Sequence, residues 1–382
     1  MRYLIVAYLC LFSILSFSME DKIINYILND IHSKNEFKTR LTYFEPNDDP
    51  WQILTSLKNT TSFPNIKKYL NIDPVFEFSY FSNHIDSNYS LARLNQAYFD
   101  IYNDNMIVSF GDKRLNFQQG QFISDSSFNL INRSFSQLSI SNLKKSIQLY
   151  YLFSVTNPDS DERHTFSKGS YVFVWNIFNK PKHFDIRTYT YLIQDQANTY
   201  FLSPSWYVNS NNSILLNIAY QGTPTVYTNN ANTKEAYYYD ASYLYQRNFA
   251  SFKLGTRYFR GSLSGKYQFI APYSSGHSWD GYLNTYHSNV QNGFTDNFQS
   301  IFSVFTFKIN KNKTIILSNY LFRSPDLTKD YGYEFNLAIS QPIIPDTVFW
   351  TYKLGQYMSG YNTDLETNLG MWLDFGIRLD NN

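Results

Sequence analysis

From about residue 36 onward the chain repeats one pattern: segments of roughly ten residues in which apolar and polar side chains alternate, separated by polar stretches. Tyr331, Tyr333, Phe335, Leu337 and Ile339 alternate with Gly332, Glu334, Asn336, Ala338 and Ser340. Met371, Leu373, Phe375, Ile377 and Leu379 alternate with Trp372, Asp374, Gly376 and Arg378. Phe252, Leu254, Thr256 and Tyr258 do so with Lys253, Gly255 and Arg257, and Ile214, Leu216, Ile218 and Tyr220 with Leu215, Asn217, Ala219 and Gln221. Successive strand side chains point to opposite faces, so each segment has one apolar and one polar face. Past the N-terminus no window suits a membrane helix, which needs about 18 apolar residues. The richest, Ile147 to Val155, is short and broken by Gln148 and Ser154.

The chain is aromatic without being greasy. Its 382 residues include 34 Tyr, 33 Phe and 6 Trp, yet mean hydropathy is −0.38. So many rings argue against disorder. Lys and Arg number 32 against 31 Asp and Glu, a net charge of +1 that offers no bulk attraction to nucleic acid. The one cysteine, Cys10, excludes a disulfide framework.

Arg2, the apolar run Tyr3 to Phe17, and the small residues Ser16 and Ser18 form the three-part pattern of a secretory signal. The expected division is a signal peptide at 1–18, an N-terminal extension at 19–34, and a barrel at 35–382. Ile23, Ile24, Ile27, Leu28 and Ile31 have helical spacing, which predicts a short helix within the extension.

Alternation alone also fits a soluble sandwich. Three features favour an all-β transmembrane antiparallel barrel. The segments approach the 9–11 residues or so that cross a bilayer at a slant. Many end in aromatics, as an interfacial girdle requires: Tyr43-Phe44, Tyr80-Phe81, Trp206-Tyr207, Tyr258-Phe259, Trp350 and Tyr352. Short connections at 103–105, 179–181, 209–212 and 310–312 contrast with long ones at 116–132, 156–167 and 261–297. About 18 strands are expected, with short periplasmic turns and long extracellular loops.

Leu94-Asn95-Gln96-Ala97-Tyr98-Phe99-Asp100 followed by Ser109-Phe110-Gly111-Asp112-Lys113-Arg114-Leu115 resembles the paired strands of the alginate-export family of bacterial outer-membrane barrels. Tyr267 to Pro272, Gly276-His277-Ser278-Trp279-Asp280-Gly281-Tyr282 and Gly293 to Asp296 are similar to that family's long loop, and Tyr331-Gly332-Tyr333-Glu334-Phe335 to its G-x-E-x-D strand. Asp112 stands where the family has Arg. The resemblance therefore implies a Gram-negative outer-membrane channel, integral after cleavage near Ser18, rather than alginate as its solute. It also implies the barrel-assembly machinery and membrane lipid as partners, and a monomer.

A barrel of this size is too wide for side chains to fill. If the apolar faces meet lipid, the polar phase places Lys38, Arg40, Gln96, Tyr98, Asp100, Asp185, Arg187, Asp240, Lys253, Arg257, Glu334, Asn336, Asp374 and Arg378 inside. Such charges suit a selectivity lining for small hydrophilic or anionic solutes, or simply a hydrated, braced wall. Tyr98, Tyr189, Tyr191 and Tyr238 share that phase and suit stacking. Tyr267, His277, Trp279 and Asp280 are the candidates for a constriction formed by the 261–297 loop. The competing readings are a barrel enzyme of lipase or protease type and an adhesin. His277-Ser278 is an adjacent His–Ser pair within that loop, and the histidines are scattered without a catalytic or metal-binding motif, so no enzyme, metal or cofactor is expected.

Overall fold

The computed structural model describes residues 32–45, 51–63, 71–83, 90–118, 121–125, 132–156, 162–180, 183–194, 198–222, 235–261, 269, 273, 282–283, 298–309, 313–361 and 366–381. Eighteen strands follow in order: β1 (His32–Glu45), β2 (Trp51–Ser62), β3 (Ile72–Asn83), β4 (Ser90–Tyr102), β5 (Met106–Lys113) and β6 (Ser134–Asn142). Next come β7 (Ile147–Thr156), β8 (Arg163–Lys180), β9 (Phe184–Leu192), β10 (Asn198–Tyr207), β11 (Asn212–Gly222) and β12 (Ala236–Gln246). The last six are β13 (Ala250–Arg260), β14 (Phe298–Lys308), β15 (Thr314–Arg323), β16 (Asp330–Ile344), β17 (Val348–Ser359) and β18 (Asn368–Asn381). Each pairs antiparallel with its neighbours, and β1 pairs with both β2 and β18, so the sheet closes on itself. Closure satisfies every strand edge, which an open sheet in an apolar solvent cannot do.

The strand ends sort the connections into two sets. One end of the barrel carries the connections at 63–71, 103–105, 143–146, 181–183, 208–211, 247–249, 309–313 and 345–347, most of them three to five residues long. In the 103–105 and 208–211 turns an asparagine carboxamide replaces a backbone acceptor. Asn103 Oδ1 accepts from the amides of Asn105 at 3.0 Å and Met106 at 2.6 Å. Asn209 Oδ1 accepts from Asn211 at 2.9 Å and Asn212 at 3.0 Å. The other end carries the three longest, 114–133, 223–235 and 261–297, together with 46–50, 84–89, 157–162, 193–197, 324–329 and 360–367. The expected long connection at 156–167 is shorter, because Arg163 already belongs to β8.

The outward phase is apolar. Leu138, Ile140, Leu149, Leu202, Leu216, Ile218, Leu254 and Leu373 are all exposed. Aromatic pairs thicken this belt toward the long-connection end: Tyr43 against Trp51 at 4.8 Å, Tyr200 against Tyr220 at 6.4 Å and Tyr239 against Tyr258 at 6.1 Å. Trp175, Phe184 and Trp206 are exposed near the opposite rim. The alternation breaks at one expected position. Tyr331, on the apolar phase by sequence, is buried with the interior cluster. Gly332 has φ +123°, and the β15–β16 register slips beside it, so the extra residue turns Tyr331 inward.

Of the predicted N-terminal extension, His32 to Lys34 are part of β1; the remainder, its helix and the signal peptide lie outside the described residues.

Candidate functional site: the barrel interior

The interior is divided by its own connections. The segment after β5 runs inward, burying Leu115, Phe117, Phe122 and Ile123. Its backbone folds back on itself, Phe117 N–H donating to Ile123 O at 2.9 Å. Phe122 stacks on Tyr191 of β9 at 5.3 Å with an 11° interplanar angle, and meets Phe201 of β10 edge-on at 5.1 Å. Tyr191 also donates its hydroxyl to Gln118 at 2.9 Å. From the β13–β14 connection, Phe269 lies 5.6 Å from both Phe122 and Tyr238. Tyr273 accepts at its carbonyl from Ser124 N–H at 2.9 Å and from Arg133 Nη1 at 2.7 Å. Burial pushes the Tyr273 phenol up to about 12. The two connections thus form a packed partition against the wall.

Against that partition lies a cavity of about 660 Å³. Phe117, Leu115, Gln118 and Gln121 border it on the partition side, and Tyr102, Ser141, Lys145, Asn176, Ser205 and Tyr207 lie toward the short-turn rim. Its charged lining is unequal: Lys113, Arg114, Lys145, Arg187 and Lys253 against Asp100 and Asp185. Lys113 Nζ donates to both oxygens of Asp100, at 2.8 and 2.9 Å, and sits 4.4 Å over the Tyr98 ring. Arg187 pairs with Asp185 at 2.9 Å while keeping half of its side chain exposed. Arg114 pairs with the buried Glu77, which Lys58, Asn95 and Gln96 also contact. Lys253 makes no ion pair among the described residues; its ammonium lies 5.4 Å from the Phe302 ring. Gly255 makes that ring position available, since a Cβ there would stand 2.6 Å from Phe302. Phe117, Tyr150 and Tyr189 add an aromatic flank, with Phe117 and Tyr150 in an edge contact at 5.1 Å.

The residues singled out by sequence do not gather in one place. Asp100, Asp185, Arg187 and Lys253 line the cavity, with Tyr98 beside it under Lys113. Arg40 and Asp374 pair at 2.5 Å across the β1–β18 seam, with Lys38 bound to Glu36 at 2.6 Å and Arg378 3.7 Å from Glu36. Asp240 takes Arg257 Nε at 3.1 Å and the Tyr238 hydroxyl at 3.0 Å, deep in the β12–β13 wall. Gln96 serves Glu77, while Glu334 and Asn336 accept from backbone amides of the β13–β14 connection. Tyr267, His277, Trp279 and Asp280 lie outside the described residues. Lys113, Arg114, Phe117, Gln118, Phe122 and Tyr150 were not foreseen. For those in the β5–β6 connection the one signal is the run of apolar residues Leu115, Phe117, Phe122 and Ile123 inside an otherwise polar stretch; Lys113 and Tyr150 belong to β5 and β7. Among the described residues no three His, Cys, Asp or Glu side chains gather as a metal site would require.

No family model and no curated protein matches the chain. Solved structures do. Its fold is that of the Occ and Opd barrels. OpdK (OccK1) of Pseudomonas aeruginosa superposes with a TM-score of 0.69 at 9% identity, over 92% of this chain and 99% of that one. OccK2 (OpdF) of the same organism, in complex with glucuronate, gives 0.72 at 8%, over 93% and 97%. OccAB4 of Acinetobacter baumannii gives 0.67 at 10%, over 92% and 98%.

These neighbours overturn the resemblance to the alginate-export family, which no family model supports. The matched pieces were strand alternation and aromatic loop residues, which any long-looped barrel supplies. Asp112 shows the failure locally. Its register partners Ala97 and Ser136 put it on the opposite face of β5 from Lys113, where it pairs with Arg163 at 2.5 Å.

Proposed function

We propose that the chain is a passive outer-membrane channel for small anionic solutes. The observation that carries this reading is the cavity, with five cationic side chains against two carboxylates and an aromatic flank. In so confined a space, fixed charges of one sign raise the local concentration of the other. The apolar outer belt supports a lipid setting, since contiguous apolar surface beyond a few hundred Å² or so is rare on soluble monomers. The short-turn rim then faces the periplasm and the long connections face outward. Solutes move down their gradient past the partition and over Lys113, Arg187 and Lys253. The neighbours' ligands agree in charge class: OccK2 was solved with glucuronate and OpdK with vanillate, both carboxylates.

The test is planar-bilayer recording of the refolded chain in a potassium chloride gradient. Stepwise conductance with a reversal potential on the chloride side is expected. A cation-preferring pore, or an intact barrel that never conducts, would overturn the proposal.

A further inference from the structure

The β13–β14 connection touches the interior at two separate places. Phe269 and Tyr273 pack against the partition and the β6, β8 and β12 wall. Tyr282 and Leu283 sit on β16–β18, a different part of the wall. There the wall is shaped to receive them. Tyr282 N–H donates to Asn336 Oδ1 and Leu283 N–H to Glu334 Oε1, each at 3.1 Å. Both acceptors are sealed from solvent, Glu334 at 0% and Asn336 at 1% exposure, so these amides help satisfy groups that would otherwise be costly to bury. The neighbouring strands contribute glycine. A Cβ at Gly355 would stand 2.9 Å from Asn336 Oδ1 and 3.1 Å from Leu283 Cγ; one at Gly370 would stand 2.8 Å from Leu283 Cδ2 and 2.7 Å from Trp372. Tyr282 then closes edge-on against Trp372 at 6.2 Å.

We propose that Gly355, Gly370, Glu334 and Asn336 form a seat for Tyr282–Leu283, and that this seat sets the size limit for permeating solutes. A valine side chain at Gly370 crowds Leu283 out of the seat, and loss of the Asn336 acceptor frees the Tyr282 amide; either change releases the connection from the wall and clears part of the lumen. This deepens the channel reading and rests on it for the size limit alone; the seat itself stands on the contacts.

Two measurements separate these parts. In a Cys10→Ser background, Leu283→Cys with Gly355→Cys brings two thiols to disulfide range in the folded barrel. Oxidation is expected to cross-link them, since Leu283→Cys also removes the Cγ that a Cβ at Gly355 would meet, and the link is read as a mobility shift of the unboiled protein. In a barrel that still migrates as folded, Gly370→Val or Asn336→Ala is expected to raise unit conductance roughly twofold, as clearing part of an aqueous lumen would. Liposomes carrying those variants should also admit sugars that the unaltered chain excludes. Failure to cross-link in a folded barrel overturns the seat. Cross-linking together with unchanged conductance and size limit in both variants overturns its role in selection. A chain that never conducts but still cross-links refutes the channel and the size limit, and keeps the seat.

Discussion

Arg40 and Asp374 join the first strand to the last: Nε donates to Oδ1 at 2.5 Å and Nη2 to Oδ2 at 2.8 Å. The two side chains are only 8% and 9% exposed, and Lys353 adds a weaker contact to the same carboxylate at 3.9 Å. Register places them directly opposite each other in the β1–β18 pairing. Removing one partner of such a pair leaves an uncompensated buried charge, at a cost of about 3–5 kcal/mol. Asp374→Ala should therefore lower the urea midpoint of the vesicle-inserted barrel, followed by tryptophan fluorescence. The exchange Arg40→Asp with Asp374→Arg should recover part of the loss, limited by Lys353 beside the new arginine. Equal midpoints for the single variant and the unaltered chain would show that the pair does not hold the seam.

Lys253 and Asp185 line the same cavity with opposite charge, so their neutralisation should act in opposite directions. A unit charge about 7 Å from a passing ion in water is worth about 0.6 kcal/mol, roughly a threefold change in occupancy. Lys253→Gln should move the reversal potential toward cations, and Asp185→Asn further toward anions. Both shifts should shrink at 1 M salt, where the screening length falls to about 3 Å. Shifts of the same sign would mean that the two residues do not share a permeation path.

Gly111 has φ +117°, and a Cβ there would stand 2.2 Å from the carbonyl oxygen of Ala97 on β4. That oxygen belongs to the paired strand and cannot swing away as a side chain would. Gly111→Ala should cost about 1–3 kcal/mol in backbone strain and should disturb Lys113 two residues on. A lowered unfolding midpoint with weakened anion preference is the expected pair of results. A midpoint equal to that of the unaltered chain would show that the strand relaxes freely at this point.

The closed barrel was readable because period-2 alternation is a local signal repeated many times, and the pairing of consecutive strands follows from it. Lys253 and Arg257 could be placed on the inner face by parity alone, and parity failed only where a bulge inserted a residue, as at Tyr331. The partition was not readable in the same way. Phe117, Phe122 and Tyr273 lie far apart in sequence and carry no period, and their neighbourhood is fixed by contacts such as Ile123 with Tyr273 across two connections. Parity likewise assigns Asp240 and Lys253 to one face. It cannot tell that Asp240 is consumed by Arg257 and Tyr238 while Lys253 remains in the cavity lining.

Asp326 lies at the tip of the β15–β16 connection, outside the spanning strands, and its Oδ1 collects three donors. Ser324 Oγ approaches at 2.5 Å, Thr328 Oγ1 at 2.8 Å and Thr328 N–H at 3.1 Å. All three favour the ionised form, the Ser324 hydroxyl most, and they hold the carboxyl at about 2 instead of the ordinary 3.8. A carboxyl whose pKa is lower in the folded turn supports that turn fully above its unfolded value and loses the support as pH falls through the folded one. The turn should therefore stay ordered down to about pH 4 and loosen progressively toward about pH 2. Carbon-13 titration of the Asp326 carboxyl in nanodiscs should give a midpoint near the lower figure, and Thr328 amide exchange should accelerate over the same window. Asp326→Asn keeps the acceptor oxygen and removes the titration, so its Thr328 exchange should show no such acceleration, whereas Asp326→Ala should exchange faster at every pH. An ordinary carboxylate midpoint in the intact barrel would mean that the three donors are not engaged.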